Sequence, residues 1–360
     1  MNRKREKRRK KKIVLHMLSS HSYSGAENVV CQIAHMFKDS EQYELLYCSP
    51  DGPIREALAE RNVAFVPMKA ASLSEFRRVI NDQKPDIIHA HDMKASFFAS
   101  LVCGRIPLIS HIHNNSYDSR KITLKAILYI YAALRAQHIY WVSEAAQKGY
   151  FFHRHFLHKS SVLYNIIDPE LLASKAEAAE CKDAYDVVFV GRMTYPKNPQ
   201  RLVNVLSMAA AEYPKLRAAI IGSGELEADI QALISEKALS GNVDYRGFMS
   251  NPYGILQHSK MMIMTSRWEG MPMCALEAFA LGVPIVSTPT DGLCELVTTG
   301  KNGFLSGNDN ELAQQIIEII SDEEYRAVLS KNALQKAAVI LDTAGYRNVL
   351  LNQYENAYRK

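Results

Sequence analysis

Short apolar runs alternate with stretches of helical periodicity along nearly all of the 360 residues. Residues 13–18, 44–48, 87–89, 108–113, 139–142 and 161–164 read as strands, with lengths and polar boundaries suited to buried pairing. Between them, residues 27–37, 54–60 and 94–102 place their apolar positions at helical spacing. The pattern restarts with a strand at 186–190 and continues through strands at 218–221, 261–264 and 283–287, the last two flanking a helix at 273–281. Strands interleaved with helices predict a mostly parallel sheet wound on both faces, an α/β architecture. The restart predicts two such domains, 13–167 and 185–345, joined by a polar, Ala-rich linker at 168–184. A closing helix at 346–360 and a basic tail at 1–12 complete the plan, and the length suffices for a core in each domain.

Chemistry concentrates in residues 261–288, where Pro272 suits a helix start and Gly282 a helix end. Glu269 then lies on a loop leaving the carboxyl end of a strand, where open α/β sheets bind ligands, and Glu277 lies about one turn inside the next helix. Carboxylates accept hydrogen bonds from hydroxyl pairs, and a helix start favours an anion. The pair therefore suits a polyhydroxylated ligand that carries an anionic group, and a nucleotide sugar has both features. Read alone, a Glu pair at this spacing is more simply a solvated loop residue and a helix-surface residue, and it is the flanking residues that change the reading. A second strand end carries Arg192 and Lys197 just before a helix that starts at Pro199, two cations placed for a diphosphate.

The frame S-R-W-E-G-M-P…E-A-x-A-x-G-x-P-[IV]-[IV]-[SA] resembles the E-x7-E signature of the retaining glycosyltransferases of family four. That resemblance implies the GT-B fold: two Rossmann-like, doubly wound domains facing across a cleft, with the C-terminal helix crossing back to the first. It implies that Glu269 contacts donor-sugar hydroxyls and Glu277 the ribose, with Gly270 and Met271 in the same donor site and Trp268 as an aromatic wall. Arg192 and Lys197 look like the family's G-R-x-x-x-x-K-N motif, whose cations neutralise the donor diphosphate. Ser24-Gly25-Ala26-Glu27 resembles the G-G-A-E loop with Ser24 in place of the first glycine, so Gly25 is left for close backbone approach to the donor. In Leu163-Tyr164-Asn165-Ile166-Ile167-Asp168 the likeness to a P-N-G-x-D motif makes Asn165 a hinge residue. Gly222 belongs to a G-x-G-x loop and Met249 to the loop where the nucleobase packs.

Histidines pair at His89 and His91 and at His111 and His113. Two histidines at this spacing share one face of a strand, yet no third metal ligand is placed by the sequence. The segment I-S-H-I-H-N-N resembles the H-x-H-N stretch of capsule and exopolysaccharide sugar transferases, which assigns His113 first, and His111 second, to the donor hexose. A structural histidine is the alternative reading for either. No D-x-D stands at a strand end, so metal independence is expected, with the two cations in place of a metal clamp.

Charge adds a separate signal. Residues 1–12 carry nine Lys or Arg against one Glu, a net of +8, so the remainder sums to −3 against the chain's +5. Such a tail is either a solvated arm or a lipid-directed one, and no nucleic-acid motif accompanies it. Six scattered cysteines lack any C-x-x-C pair and fit a reducing cytoplasm, and no apolar run reaches a spanning length. Residues 121–137 form an apolar helix with cations near its edge, either a buried domain helix or a face for an anionic membrane.

These features predict a cytoplasmic, cofactor-free, retaining transferase, with the inner face of the cell membrane as its second location. It moves a hexose or N-acetylhexosamine from a nucleotide sugar, UDP-linked before GDP-linked, to a lipid-linked or growing glycan. The rivals are a glycoside hydrolase using Glu269 and Glu277, a GT-B-fold epimerase and a catalytically silent sugar-nucleotide binder.

Overall fold

The computed structural model describes residues 11–113 and 117–359. Tail positions 1–10, and Asn114 of the histidine motif, lie outside the described residues. Two parallel sheets organise the chain. The first contains β1 (Lys12–Met17), β2 (Tyr43–Pro50), β3 (Phe65–Met68), β4 (Ile87–Ala90), β5 (Leu108–Ile112), β6 (His138–Trp141) and β7 (Ser160–Val162), in the order β3-β2-β1-β4-β5-β6-β7. The second contains β8 (Val187–Val190), β9 (Ala218–Ile221), β10 (Val243–Gly247), β11 (Met261–Met264), β12 (Ile285–Ser287) and β13 (Gly303–Leu305), in the order β10-β9-β8-β11-β12-β13. Both are doubly wound. In each, the strand order reverses beside the first strand of the sheet, between β1 and β4 and between β8 and β11, and ligands of such sheets bind at the carboxyl ends of those strands.

The chain divides into two compact units. One takes the residues up to Val142, Gln147–Leu163 and everything from Thr343 onward; the other takes Ser143–Ala146 and Tyr164–Asp342. The C-terminal helix Thr343–Arg359 thus belongs to the first unit although it follows the second in sequence. Residues 168–184, read as a linker, hold the helix Pro169–Glu177 and lie inside the second unit. Asp168 caps that helix, its Oδ1 accepting from the backbone N–H of Glu170 and Leu171 at 3.0 Å each, and Pro169 sets its first turn.

Central strands are apolar on both faces because helices cover both, as in β11, whose four residues are all buried. In the second unit Phe189, Leu206, Ile220, Ile263 and Ile316 meet in one core. The helix at 121–137 resolves as Leu124–Arg135, preceded by a short 3-10 turn at Tyr117–Arg120. Among the described residues no helix is long and apolar enough to cross a membrane.

Candidate functional site

In the second unit the loops leaving β8 and β11 meet at the reversal point. The chain after β8 passes through a 3-10 turn, Tyr195–Lys197, and then Asn198 at φ 51° and ψ 53°, a left-handed conformation that asparagine tolerates better than most residues. Pro199 then opens the helix Pro199–Glu212. Thr265, just past β11, donates its hydroxyl to the Asn198 carbonyl at 3.1 Å, and Arg267 Nη2 donates to Asn198 Oδ1 at 2.9 Å. The Arg267 guanidinium also lies 4.3 Å from the Tyr195 ring centroid, and that ring packs on Trp268 at 5.8 Å. This stitching sets the two loops in register.

Lys197 and Glu269 meet there. Lys197 Nζ donates to Glu269 Oε1 at 2.6 Å, Ser266 Oγ donates to the same oxygen at 2.6 Å, and the two charged side chains are only 16% and 11% exposed. Burial alone would lower the Lys197 pKa, but the adjacent carboxylate outweighs it, so the net direction is upward and the ammonium is held. Arg192 is exposed on the same loop, and its charge acts on Lys197. The result is a cationic loop with one half-buried carboxylate, at the strand ends where open α/β sheets receive ligands.

Glu277 occupies a different setting on the helix Met273–Ala280. Its carboxyl is buried and accepts from the Tyr253 hydroxyl at 3.1 Å. Burial pushes its pKa up to about 7, against the lowering effects of the Tyr253 hydroxyl and of Lys175.

Glycines bring the supporting loops close. A Cβ on Gly222, which sits at φ 138°, would stand 1.9 Å from the Gly191 carbonyl oxygen, so this position must lack a side chain whatever else it does. A Cβ on Gly292 would stand 1.8 Å from the Gly270 carbonyl oxygen, which lets the helix Asp291–Leu296 approach the Gly270–Met271 turn. Asn165, buried, donates its amide to the Met271 carbonyl at 2.6 Å and so braces that turn. Met249, half-buried, follows Phe248, which is 76% exposed on the loop after β10.

In the first unit, the helix Gly25–Met36 begins beside β1, with Ser24 Oγ donating to Glu27 Oε2 at 2.5 Å. Glu27 is buried rather than solvated at the helix start, and burial raises its pKa. Five histidines then gather at three neighbouring strands, His91 just past the end of β4 and His113 just past the end of β5. His16 on β1 pairs in register with His89 on β4, and His91, His111 and His113 continue the set along β4 and β5. His16 Nδ1 lies 2.8 Å from His91 Nε2, and His91 Nδ1 lies 3.1 Å from His113 Nε2, a ribbon of imidazoles joined edge to edge. His89 stacks beneath it, 4.3 Å from His91 between ring centroids, His111 lies tilted 4.2 Å from His113, and His89 Nδ1 bonds the Tyr354 hydroxyl at 3.0 Å. His16, His89, His91 and His111 are fully enclosed, and burial holds all four pKa values below the usual range, that of His16 at about 3.

The structure supplies the third histidine that the sequence did not. Two groups, His16 with His89 and His91, and His91 with His111 and His113, each bring three ligand atoms within 4.8 Å. Nitrogen lone pairs lie in the ring planes, and stacked planes do not aim them at one point. The arrangement suits a hydrogen-bonded ribbon in which each neutral ring donates once and accepts once. His16 Nε2, buried without a partner, is the cheaper orphan as an acceptor than as an N–H, so the protons run from His16 through His91 toward His113.

Residues 23–171 match the family described as Glycosyltransferase Family 4, and residues 173–336 match Glycosyl transferases group 1, which together span both units. The chain belongs to glycosyltransferase family four. An uncharacterized glycosyltransferase of Methanocaldococcus jannaschii is 26% identical to this family member over 72% of the chain and 77% of its own length. The UDP-Gal:alpha-D-GlcNAc-diphosphoundecaprenol alpha-1,3-galactosyltransferase of Escherichia coli is 24% identical over 87% of the chain and 89% of its own length. The crystal structure of Anabaena HepE in complex with UDP and glucose superposes with a TM-score of 0.84 at 20% identity, covering 96% of this chain and 100% of that one, which shows a shared GT-B fold.

Several residues of this glycosyltransferase that position the site escaped sequence reasoning. Ser266 sits inside the recognised frame, so its place beside Glu269 was within reach of local sequence. Tyr253 and His16 act across 24 and 75 positions on Glu277 and His91, and nothing local announces either contact.

Proposed function

We propose that this glycosyltransferase is a retaining, metal-independent enzyme that moves a hexose or N-acetylhexosamine from a nucleotide sugar to a lipid-linked or growing cell-surface glycan. The observation that carries the proposal is the Lys197–Glu269 pair at the reversal point of the second sheet, with Arg192 on the same loop. Arg192 and Lys197 take the diphosphate, Glu269 the sugar hydroxyls, Glu277 the ribose, and His113 the hexose. Negative charge grows on the diphosphate as the glycosidic bond breaks, and fixed cations at that point stabilise the transition state more than the ground state. The departing phosphate oxygen takes the acceptor proton on the same face of the sugar, so no side chain need serve as base. Those two cations do the work a metal would do at a diphosphate, which supports metal independence.

A UDP-sugar donor is favoured over a GDP-sugar because HepE, alike in fold, holds UDP-glucose in its crystal structure. A lipid-linked acceptor is favoured because the Escherichia coli relative is named for a diphosphoundecaprenol acceptor.

The test is nucleotide release from a panel of UDP- and GDP-sugars in chelator, with and without lipid-linked acceptor. Acceptor-dependent release without metal is expected, and Glu269→Ala should lower it by roughly 100-fold or more. Full activity in Glu269→Ala, an absolute need for added metal, or sugar release from a glycan with no nucleotide present would each overturn the proposal.

A further inference from the structure

The helix Leu124–Arg135 of the first unit is packed inside out. Its buried positions are Ala126, Tyr129, Ala132 and Ala133. Leu124 is 72% exposed, Leu134 64%, Ile127 47%, Tyr131 45% and Leu128 37%. At helical spacing these five fall on one face, opposite the packed one. Of the two readings of residues 121–137, a fully buried helix is overturned: three alanines and Tyr129 pack the helix against its neighbours, and Leu124, Ile127, Leu128, Tyr131 and Leu134 face outward. Phe151 and Leu157 extend the surface, at 49% and 51% exposed, from a segment tied to this helix by the Tyr150 hydroxyl, which donates to the Ala126 carbonyl at 2.8 Å. Soluble folds rarely expose so continuous an apolar surface without a use for it.

Charge says what the use is. Residues 118–168 contain seven Lys or Arg against three acids, Asp118, Glu144 and Asp168. Arg135 Nη2 donates to the Gly104 carbonyl at 2.6 Å and Lys159 Nζ to the Ala136 carbonyl at 2.8 Å, so two of these cations are fixed at the helix end by neutral partners and keep their charge. Lys121 and Lys125 stand exposed at the other end.

We propose that this face docks on an anionic lipid bilayer. The helix lies in the plane of the interface, its apolar stripe enters the boundary between headgroups and acyl chains, and the rim cations meet lipid phosphates. At 12 residues it is too short to span. The inference goes beyond the transferase reading, and it gives that reading a location where a lipid-linked acceptor is presented.

Flotation of the full chain with phosphatidylcholine vesicles, with or without roughly 30% phosphatidylglycerol, tests binding without donor or acceptor. The chain should float with the anionic vesicles and less so as salt rises. Leu124→Gln with Ile127→Gln and Tyr131→Gln should weaken partitioning by about tenfold or more, since three apolar side chains leave the lipid. Lys121→Gln with Lys125→Gln should weaken it on the order of fivefold per charge. Val339→Gln, at a site 77% exposed on the helix Glu323–Ile340 of the other unit, should change nothing. Circular dichroism and the melting temperature confirm that each variant folds. Transfer to a short soluble acceptor should survive the triple change; complete absence of transfer in every chain, with flotation intact, would sink the transferase reading and leave the docking face standing. No flotation with anionic vesicles at low salt overturns the docking proposal. So does a wild-type dimer that the triple change converts to monomer while flotation is unaltered, which would make the face an interface between copies.

Discussion

A carboxyl group enclosed as Glu277 is would be expected to leave the interior or to rest on a cation, and it stays buried with the charge of Lys175 too weak to offset that burial. Its direct partner is a neutral phenol, Tyr253, and its pKa rises to about 7 because burial disfavours the charged form. An unfolded glutamate titrates near 4.5. The folded chain therefore holds this proton more tightly, so stability is fullest at low pH and is lost as pH rises from about 4.5 through about 7, by roughly 3 kcal/mol at most. Glu277→Gln removes that loss. The variant should match the wild type in denaturant midpoint near pH 5 and exceed it near pH 8. Donor binding tests the proposed role of the same group: UDP-glucose, whose diphosphate is fully ionised across this range, should bind the wild type more weakly below about pH 7, where the carboxylate proposed to accept ribose hydroxyls is protonated. Parallel pH profiles of affinity in wild type and Glu277→Gln would refute the ribose assignment.

Strands β1, β4 and β5 carry a device that no single strand could build. Each histidine pair is two residues apart, so each shares a face, and parallel pairing in register sets His16 beside His89. Four of the five rings are enclosed and kept neutral by burial. An unfolded histidine takes a proton near pH 6.5 and these do not, so the unfolded chain gains protons as pH falls and the first unit loses stability below about 6.5. The loss is about 1.4 kcal/mol per pH unit for each histidine held neutral. Trp141, buried on β6, reports on this unit, and Trp268→Phe removes the other tryptophan. Urea midpoints read from Trp141 in that variant should drop steeply between pH 7 and 5, and a flat profile would mean that the histidines are not held neutral. Strands of this kind were legible because continuous apolar runs mark sheets covered on both faces. The edge strand β3, Phe65–Met68, was missed because Pro67 and a mostly half-exposed pattern break the run, and the helix Leu73–Gln83 because only Phe76, Val79 and Ile80 are buried in it. Arg192, Lys197 and Glu269 were legible as strand-end residues because the runs that carry them are local. The histidine ribbon was not, because its hydrogen bonds join residues 75 and 22 positions apart.

The order of the chain and the order of its cores differ, and that has a consequence for the whole molecule. The helix Thr343–Arg359 follows the second unit in sequence and completes the first in space. Tyr354 is fully buried there, 5.7 Å from the Phe37 ring and 5.6 Å from the Tyr43 ring, with its hydroxyl on His89 Nδ1 at 3.0 Å. Arg347 Nε donates to the Met36 carbonyl at 3.0 Å and its guanidinium lies 5.0 Å from the Phe37 ring centroid. Losing a buried aromatic side chain of this kind costs about 3–5 kcal/mol, and a chain ending at Asp342 loses Leu350 and Ala357 as well. Among the described residues, the main core cluster of the second unit includes none from this helix. Truncation after Asp342 should therefore damage the unit that lies farthest from the cut in sequence and spare the one that adjoins it. Fluorescence separates the two, because Trp141 belongs to the first unit and Trp268 to the second. In Trp268→Phe the truncated chain should show its Trp141 transition moved to much lower denaturant or lost, while in Trp141→Phe the Trp268 transition of the truncated chain should stay close to that of the full-length chain. Equal shifts in both reporters would mean that the units unfold as one, and an unchanged Trp141 transition would mean that the first unit is complete without its C-terminal helix.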